Sequence, residues 1–175
     1  MTQKYQDEKV YSPGTVIISS VGNVTDIKKA VKPALKNSSS AQIIHIDFST
    51  DHFKLGGSSF AQILNKIGKE APTVKDSEYF ADCFNFVQDL IEGGNVLAGH
   101  DISDGGLITT LMEMCFPNNG IGMNIDLSGF NEDDITKILF AENAGVIVQV
   151  EDFYTFQEKA KQHDIMYQVL GTSND

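Results

Sequence analysis

Two short stretches carry the residue types from which an anion or metal site is built. "LGGSS" at 55–59 and "HDISDGGL" at 100–107 each place glycines beside hydroxyls or carboxylates just ahead of a helical pattern. A helix start leaves backbone N–H groups free and carries about half a positive charge, so it binds phosphate readily. Glycine lets the backbone approach an anion closely. Gly56, Gly57 and Ser58 in the first stretch are therefore candidate nucleotide contacts, as are Ser103, Asp104, Gly105 and Gly106 in the second. Neither stretch is a Walker A loop, since no Gly-Lys-Ser/Thr follows, and neither is a Rossmann fingerprint. The same residues also suit plain helix entry. Ser103 or Asp104 can cap one helix, and Ser59 with Gln62 three positions on reads as a capping box for the other.

Asp101 is harder to absorb into a cap. It ends an apolar run, where open α/β sheets place their ligands, and Ser103 and Asp104 lie nearer the helix. A carboxylate there suits Mg2+ held between protein and nucleotide phosphate, against the alternative of a solvated loop aspartate. His100 reads as a base or a packed histidine, and His45, in a strand, as a surface or packed residue rather than a catalyst. Cys83 and Cys115 match no metal-ligand spacing, and no Ser/His/Asp or Cys/His arrangement is legible. All 13 basic residues are lysine. Without arginine the chain cannot make a bidentate guanidinium clamp, so an anion site rests on backbone N–H groups, lysines, hydroxyls, a bridging metal or residues from another domain.

The elements that must position these residues follow from periodicity. Strands are expected at 15–21, 42–49, 95–99, 121–127, 145–150 and 165–170. Helices are expected at 25–36 (bent by Pro33), 60–68, 77–92, 104–116, 131–140 and 151–163. Such interleaving predicts an α+β or α/β domain, a mixed sheet covered by helices in layers. Residues 1–12 read as a tail or linker remnant and 13–175 as one domain. A net charge of −11 argues against a nucleic-acid partner. No apolar run approaches a membrane span and the start has no signal region, so the expectation is a cytoplasmic protein.

Three blocks, "LGGSSFAQIL" at 55–64, "HDISDGGL" at 100–107 and "LFAENAGVIVQV" at 139–150, occur in an order and spacing that resembles the phosphoribosylformylglycinamidine synthase family. More narrowly, the chain is similar to the C-terminal lobe of the second aminoimidazole-ribonucleotide-synthetase-like module, because it reads "SDGGL" where the first module reads "GAGGL". The resemblance implies that fold and a place in the ATP- and glutamine-dependent amidination of formylglycinamide ribonucleotide, a step of purine synthesis. It implies Asp101 as a magnesium ligand and Ser103 as an ATP/ADP contact in an auxiliary site, with Gly56 to Ser58 in the same cleft wall. The implied partners are the other domains of the enzyme, its N-terminal lobes and glutaminase. The lobe alone is expected to be inactive. Two readings compete: thiamine-monophosphate kinase, whose related motif lacks the double glycine, and a stand-alone nucleotide- or partner-binding module.

Overall fold

The computed structural model describes residues 2–11, 17–117 and 120–174. Five strands form one sheet: β3 (Gln42–Asp47), β4 (Val96–Asp101), β5 (Gly122–Ile125), β6 (Gly145–Val150) and β7 (Tyr167–Asn174). Their order is β4-β6-β3-β7-β5, and all four ladders are antiparallel. The α+β expectation holds, with an antiparallel rather than mixed sheet. A separate hairpin pairs β1 (Thr2–Tyr5) with β2 (Glu8–Tyr11), so most of the segment read as a tail is strand.

Helices cover both faces. β3 is central, and Ile43, Ile44 and Ile46 are fully buried, as a strand covered on both sides requires. Ile44 and Ile46 pack with Val148 and Val150 against α2 (Ser77–Glu92) and α5 (Phe153–Gln162), through Phe86, Leu90 and Phe156. Ile43 and Ile147 face the other way, onto Leu107, Leu111 and Met114 of α3 (Gly106–Cys115) and Ile138 of α4 (Ile135–Phe140). The period-two alternation of β3 and β6 thus feeds two cores.

The N-terminal third departs most from the periodicity. Residues 17–21 form no strand and stay exposed, and residues 15 and 16 lie outside the described residues. The helix expected at 25–36 is a single 3-10 turn, Ile27–Lys29. Pro33 cannot continue a helix, and the backbone around it is used elsewhere. Gly99 N–H donates to Lys32 O at 3.1 Å along the edge of β4. The buried Gln149 side chain accepts from Lys36 N–H and donates to Lys36 O, both at 2.8 Å. Leu35 is driven into the core beside α3. Tertiary hydrogen bonds and one buried leucine outcompete the local helical pattern.

Candidate functional site

Each glycine junction has a specific backbone reason for its glycines. In the first, Gly57 sits at φ +77 and ends a loop that doubles back on residues 66–70. The amides of Gly56 and Gly57 donate to Glu70 O at 2.8 Å and Ile67 O at 2.6 Å. A Cβ on Gly56 would lie 2.2 Å from Glu70 O, so the two backbones touch. The cap of α1 (Ser59–Ile63) is Ser58 rather than Ser59. The Ser58 hydroxyl accepts from Ala61 N–H and donates to Leu55 O at 2.7 Å, and the side chain is buried. A cap one residue earlier lets the Ser59 N–H point elsewhere.

In the second junction, helix entry is made by Gly105 in the left-handed region (φ +90), with no side-chain cap. Neither Ser103 nor Asp104 caps α3, which corrects the capping alternative. Gly106 N–H closes a turn on Ser103 O at 3.0 Å. Gly106 also has positive φ, and a Cβ there would meet the Leu139, Phe140 and Ala141 backbone at 2.8–2.9 Å. The start of α3 is therefore pressed against the end of α4. Ser103 and Asp104 are exposed, and their side chains make no hydrogen bond among the described residues.

One residue joins the two junctions. Oε1 of Glu142 accepts from Ser59 N–H and from Gly105 N–H, each at 2.8 Å. The two helix starts thus lie within two hydrogen-bond lengths of a single carboxylate oxygen. Glu142 is the residue that sequence reasoning missed. Its signal was an acid inside the otherwise apolar "LFAENAGVIVQV", between α4 and β6. Its neighbour Asn143 is buried, and its Nδ2 donates to Ser49 Oγ, Asp51 O and His52 O. Asp51 in turn holds Lys54 Nζ at 2.8 Å and Thr73 N–H at 3.0 Å, and these bonds keep its carboxyl well below the usual carboxylate range. The loop ahead of the first junction is anchored by these contacts.

Asp101 is the last residue of β4, an edge strand. Its carbonyl accepts from Thr110 Oγ1 at 3.1 Å and contacts His100 Nδ1 at 2.8 Å. The backbone is fixed on both sides, whereas the carboxylate is 73% exposed with His100 Nδ1 at 3.4 Å. His100 reaches Glu113 Oε2 with its other nitrogen, at 3.2 Å, as a half-buried bridge between β4 and α3. Pairing with Val146 puts Asp101 on the α2 side of the sheet, one residue out of phase with His100. It lines a small recess of about 190 Å3 with Val31, Val87 and Val146. The structure therefore brings Gly56–Ser58 close to Gly105 and Gly106 through Glu142, while Asp101 presents its carboxylate at the open edge of β4, beside His100 and the small recess. Among the described residues, no group of three His, Cys, Asp or Glu side chains is arranged to hold a metal ion. His45 is packed against Phe130, and burial lowers its pKa to about 4.

Residues 49–175 match the family described as "AIR synthase related protein, C-terminal domain". The chain belongs to this family. As a member of the AIR synthase related C-terminal domain family, it also has long relatives. It is 36% identical over 96% of its length to "Probable phosphoribosylformylglycinamidine synthase, chloroplastic/mitochondrial" of Arabidopsis thaliana. It is 36% identical over 83% of its length to the Caenorhabditis elegans protein "Probable phosphoribosylformylglycinamidine synthase". It spans 12% of each of these relatives. The family fold also appears in the solved structure of "PurLQS from Thermotoga maritima", with a TM-score of 0.63 over 85% of this chain and 24% of that one, at 16% identity. "T. maritima PurL complexed with ATP" gives 0.60 over 85% and 23%, at 15% identity. Among the described residues no helix is long and apolar enough to cross a membrane.

Proposed function

We propose that this family member is one lobe of a phosphoribosylformylglycinamidine synthase, and that the lobe contributes half of an auxiliary Mg2+-nucleotide site. The similarity to proteins of that name over 96% of the chain is the observation that carries the reading. The site geometry is compatible with it. Mg2+ takes one or two protein carboxylates and keeps water and phosphate oxygens for the rest. Asp101 offers one such carboxylate, solvent-facing on a backbone pinned by Thr110. Ser103 and Asp104 offer uncommitted polar side chains two and three residues on, next to the first turn of α3. When bound, the metal would neutralise phosphate charge and orient the nucleotide.

The remaining candidates act by shape. Gly105 and Gly106 let α3 begin against α4, and Gly56, Gly57 and Ser58 set the neighbouring loop, with Glu142 fastening the two together. The other ligands would come from the rest of the enzyme, an N-terminal synthetase-like lobe and a glutaminase domain. The chain alone would be inactive, and the enzyme would work in the cytoplasm. Asp101→Ala in the intact enzyme tests the site. The fold should survive, because the carboxylate is exposed, and the Mg2+ and nucleotide that copurify should fall at least about tenfold, the loss of one charged ligand. Unchanged metal and nucleotide content, measured by elemental analysis and mass spectrometry, would remove Asp101 from the site.

A further inference from the structure

A second cleft lies beside the first glycine junction, and Asp101 is not among the residues that line it. It encloses about 700 Å3 between the 52–56 loop, α1, the 64–70 loop and the start of α4. That is the size of a small-molecule pocket. Four of the 13 lysines of a chain with net charge −11 line it: Lys54, Lys66, Lys69 and Lys137. Two of these are held in place. Lys54 is tied to buried Asp51 at 2.8 Å and Lys137 to Glu132 at 3.1 Å. Lys66 and Lys69 are exposed and have no acidic partner among the described residues. Glu70 and Glu132 also line it, which leaves two more lysines than acids in the lining, opposite in sign to the molecule as a whole.

Its other wall is apolar. Phe53, Phe60 and Leu64 line it, and Phe60 is backed by a stacked Phe140 at 4.6 Å. Leu64 remains 52% exposed. The floor is rigid, because Gly56 and Gly68 bring their backbones into contact: a Cβ on Gly68 would lie 2.7 Å from Gly56 Cα. Two lysines without an acidic partner and an aromatic wall in one cleft suit a ligand with a phosphate at one end and a flat ring at the other. Lysine binds phosphate as a point charge, and aromatic faces stack bases without regard to sequence.

We propose that this cleft binds a phosphate monoester carrying an aromatic base, of the nucleoside monophosphate class, with Lys66 and Lys69 on the phosphate and the Phe60 side against the ring. The site uses no metal and is separate from the Asp101 site. Titration of the 175-residue chain with AMP in EDTA, followed by calorimetry, should show saturable binding. Adenosine, which lacks the phosphate, and ribose 5-phosphate, which lacks the ring, should each bind at least about tenfold more weakly, about 1.4 kcal/mol. Lys66→Ala with Lys69→Ala should weaken AMP at least tenfold. Leu64→Glu, which puts a negative charge on the apolar wall, should do the same. Lys159→Ala with Lys161→Ala makes an equal charge change on α5 and should leave AMP affinity within about twofold. The proposal is overturned by absence of saturable AMP binding, by an unaffected Lys66/Lys69 variant, or by equal losses in the two lysine pairs. Because the measurement is made without divalent metal, its failure leaves the Asp101 reading standing, and loss of the Asp101 reading leaves this one standing.

Discussion

Glu142 fastens the two glycine junctions, and its removal can be sized from the structure. One carboxylate oxygen accepts two backbone N–H bonds at 2.8 Å, from Ser59 and Gly105. Hydrogen bonds to a charged group contribute about 1.5–3 kcal/mol each when the group is desolvated. Glu142 is only partly buried, which puts each at the lower end. Glu142→Ala should therefore cost about 2–3 kcal/mol, because water can replace the carboxylate only in part. Glu142→Gln keeps an acceptor oxygen and loses the charge, and should cost about 1 kcal/mol. With a urea slope of about 2 kcal/mol/M, the alanine variant shifts the unfolding midpoint down by roughly 1 M and the glutamine variant by about half that. Amide exchange supplies the local readout: Ser59 and Gly105 N–H should lose protection in the alanine variant, ahead of the β3 and β6 amides. Equal midpoints for the two variants, or unchanged protection of both amides, would refute the view that this carboxylate is the fastener.

Two further perturbations follow from the same geometry. Gly106→Ala forces a Cβ to 2.8–2.9 Å from the α4 backbone at a positive φ, and should cost about 3 kcal/mol in chemical denaturation, whereas Gly94→Ala, with positive φ and open space, should cost about 1. Burial lowers the His45 pKa from 6.5 to about 4, so the unfolded chain takes up a proton that the folded chain refuses. The stability that this neutral histidine allows is intact above pH 6.5 and is lost as pH falls towards 4, by about 3 kcal/mol over the window. His45→Gln should flatten that slope in pH-dependent urea unfolding. The depressed Asp51 carboxyl adds a loss of its own once pH falls below about 5, where the unfolded carboxyl begins to protonate, so the His45 slope is read between pH 6.5 and about 5.

The legible part of the fold was its periodic part. β3, α2, β6 and α5 bury strong apolar stripes, and tertiary packing agrees with local pattern there. The 25–36 segment misled because its fate is decided at a distance, by Gln149 and the β4 edge. The cap at Ser58 instead of Ser59 shows the same limit on a smaller scale. Either serine satisfies local rules, and Glu142, 83 residues further on, takes the N–H of the second. Residue types placed Asp101 and the two glycine junctions as places to look. They could not reveal that the junctions meet at Glu142, nor that the Asp101 carboxylate sits at the β4 edge beside His100. The lysine cleft was invisible for a related reason, since its lysines come from three separate stretches of sequence, Lys54, Lys66 with Lys69, and Lys137.

The central claim is that this lobe works inside a purine-synthesis amidotransferase. It is tested most directly by tagging the sequence in its native cells, purifying the tagged polypeptide, and assaying conversion of formylglycinamide ribonucleotide with ATP and glutamine. If the lobe works there, amidine formation copurifies with a tagged polypeptide much longer than 175 residues, and depleting it removes the activity from the extract. A tagged polypeptide without this activity, in an extract that keeps it after depletion, would contradict the account.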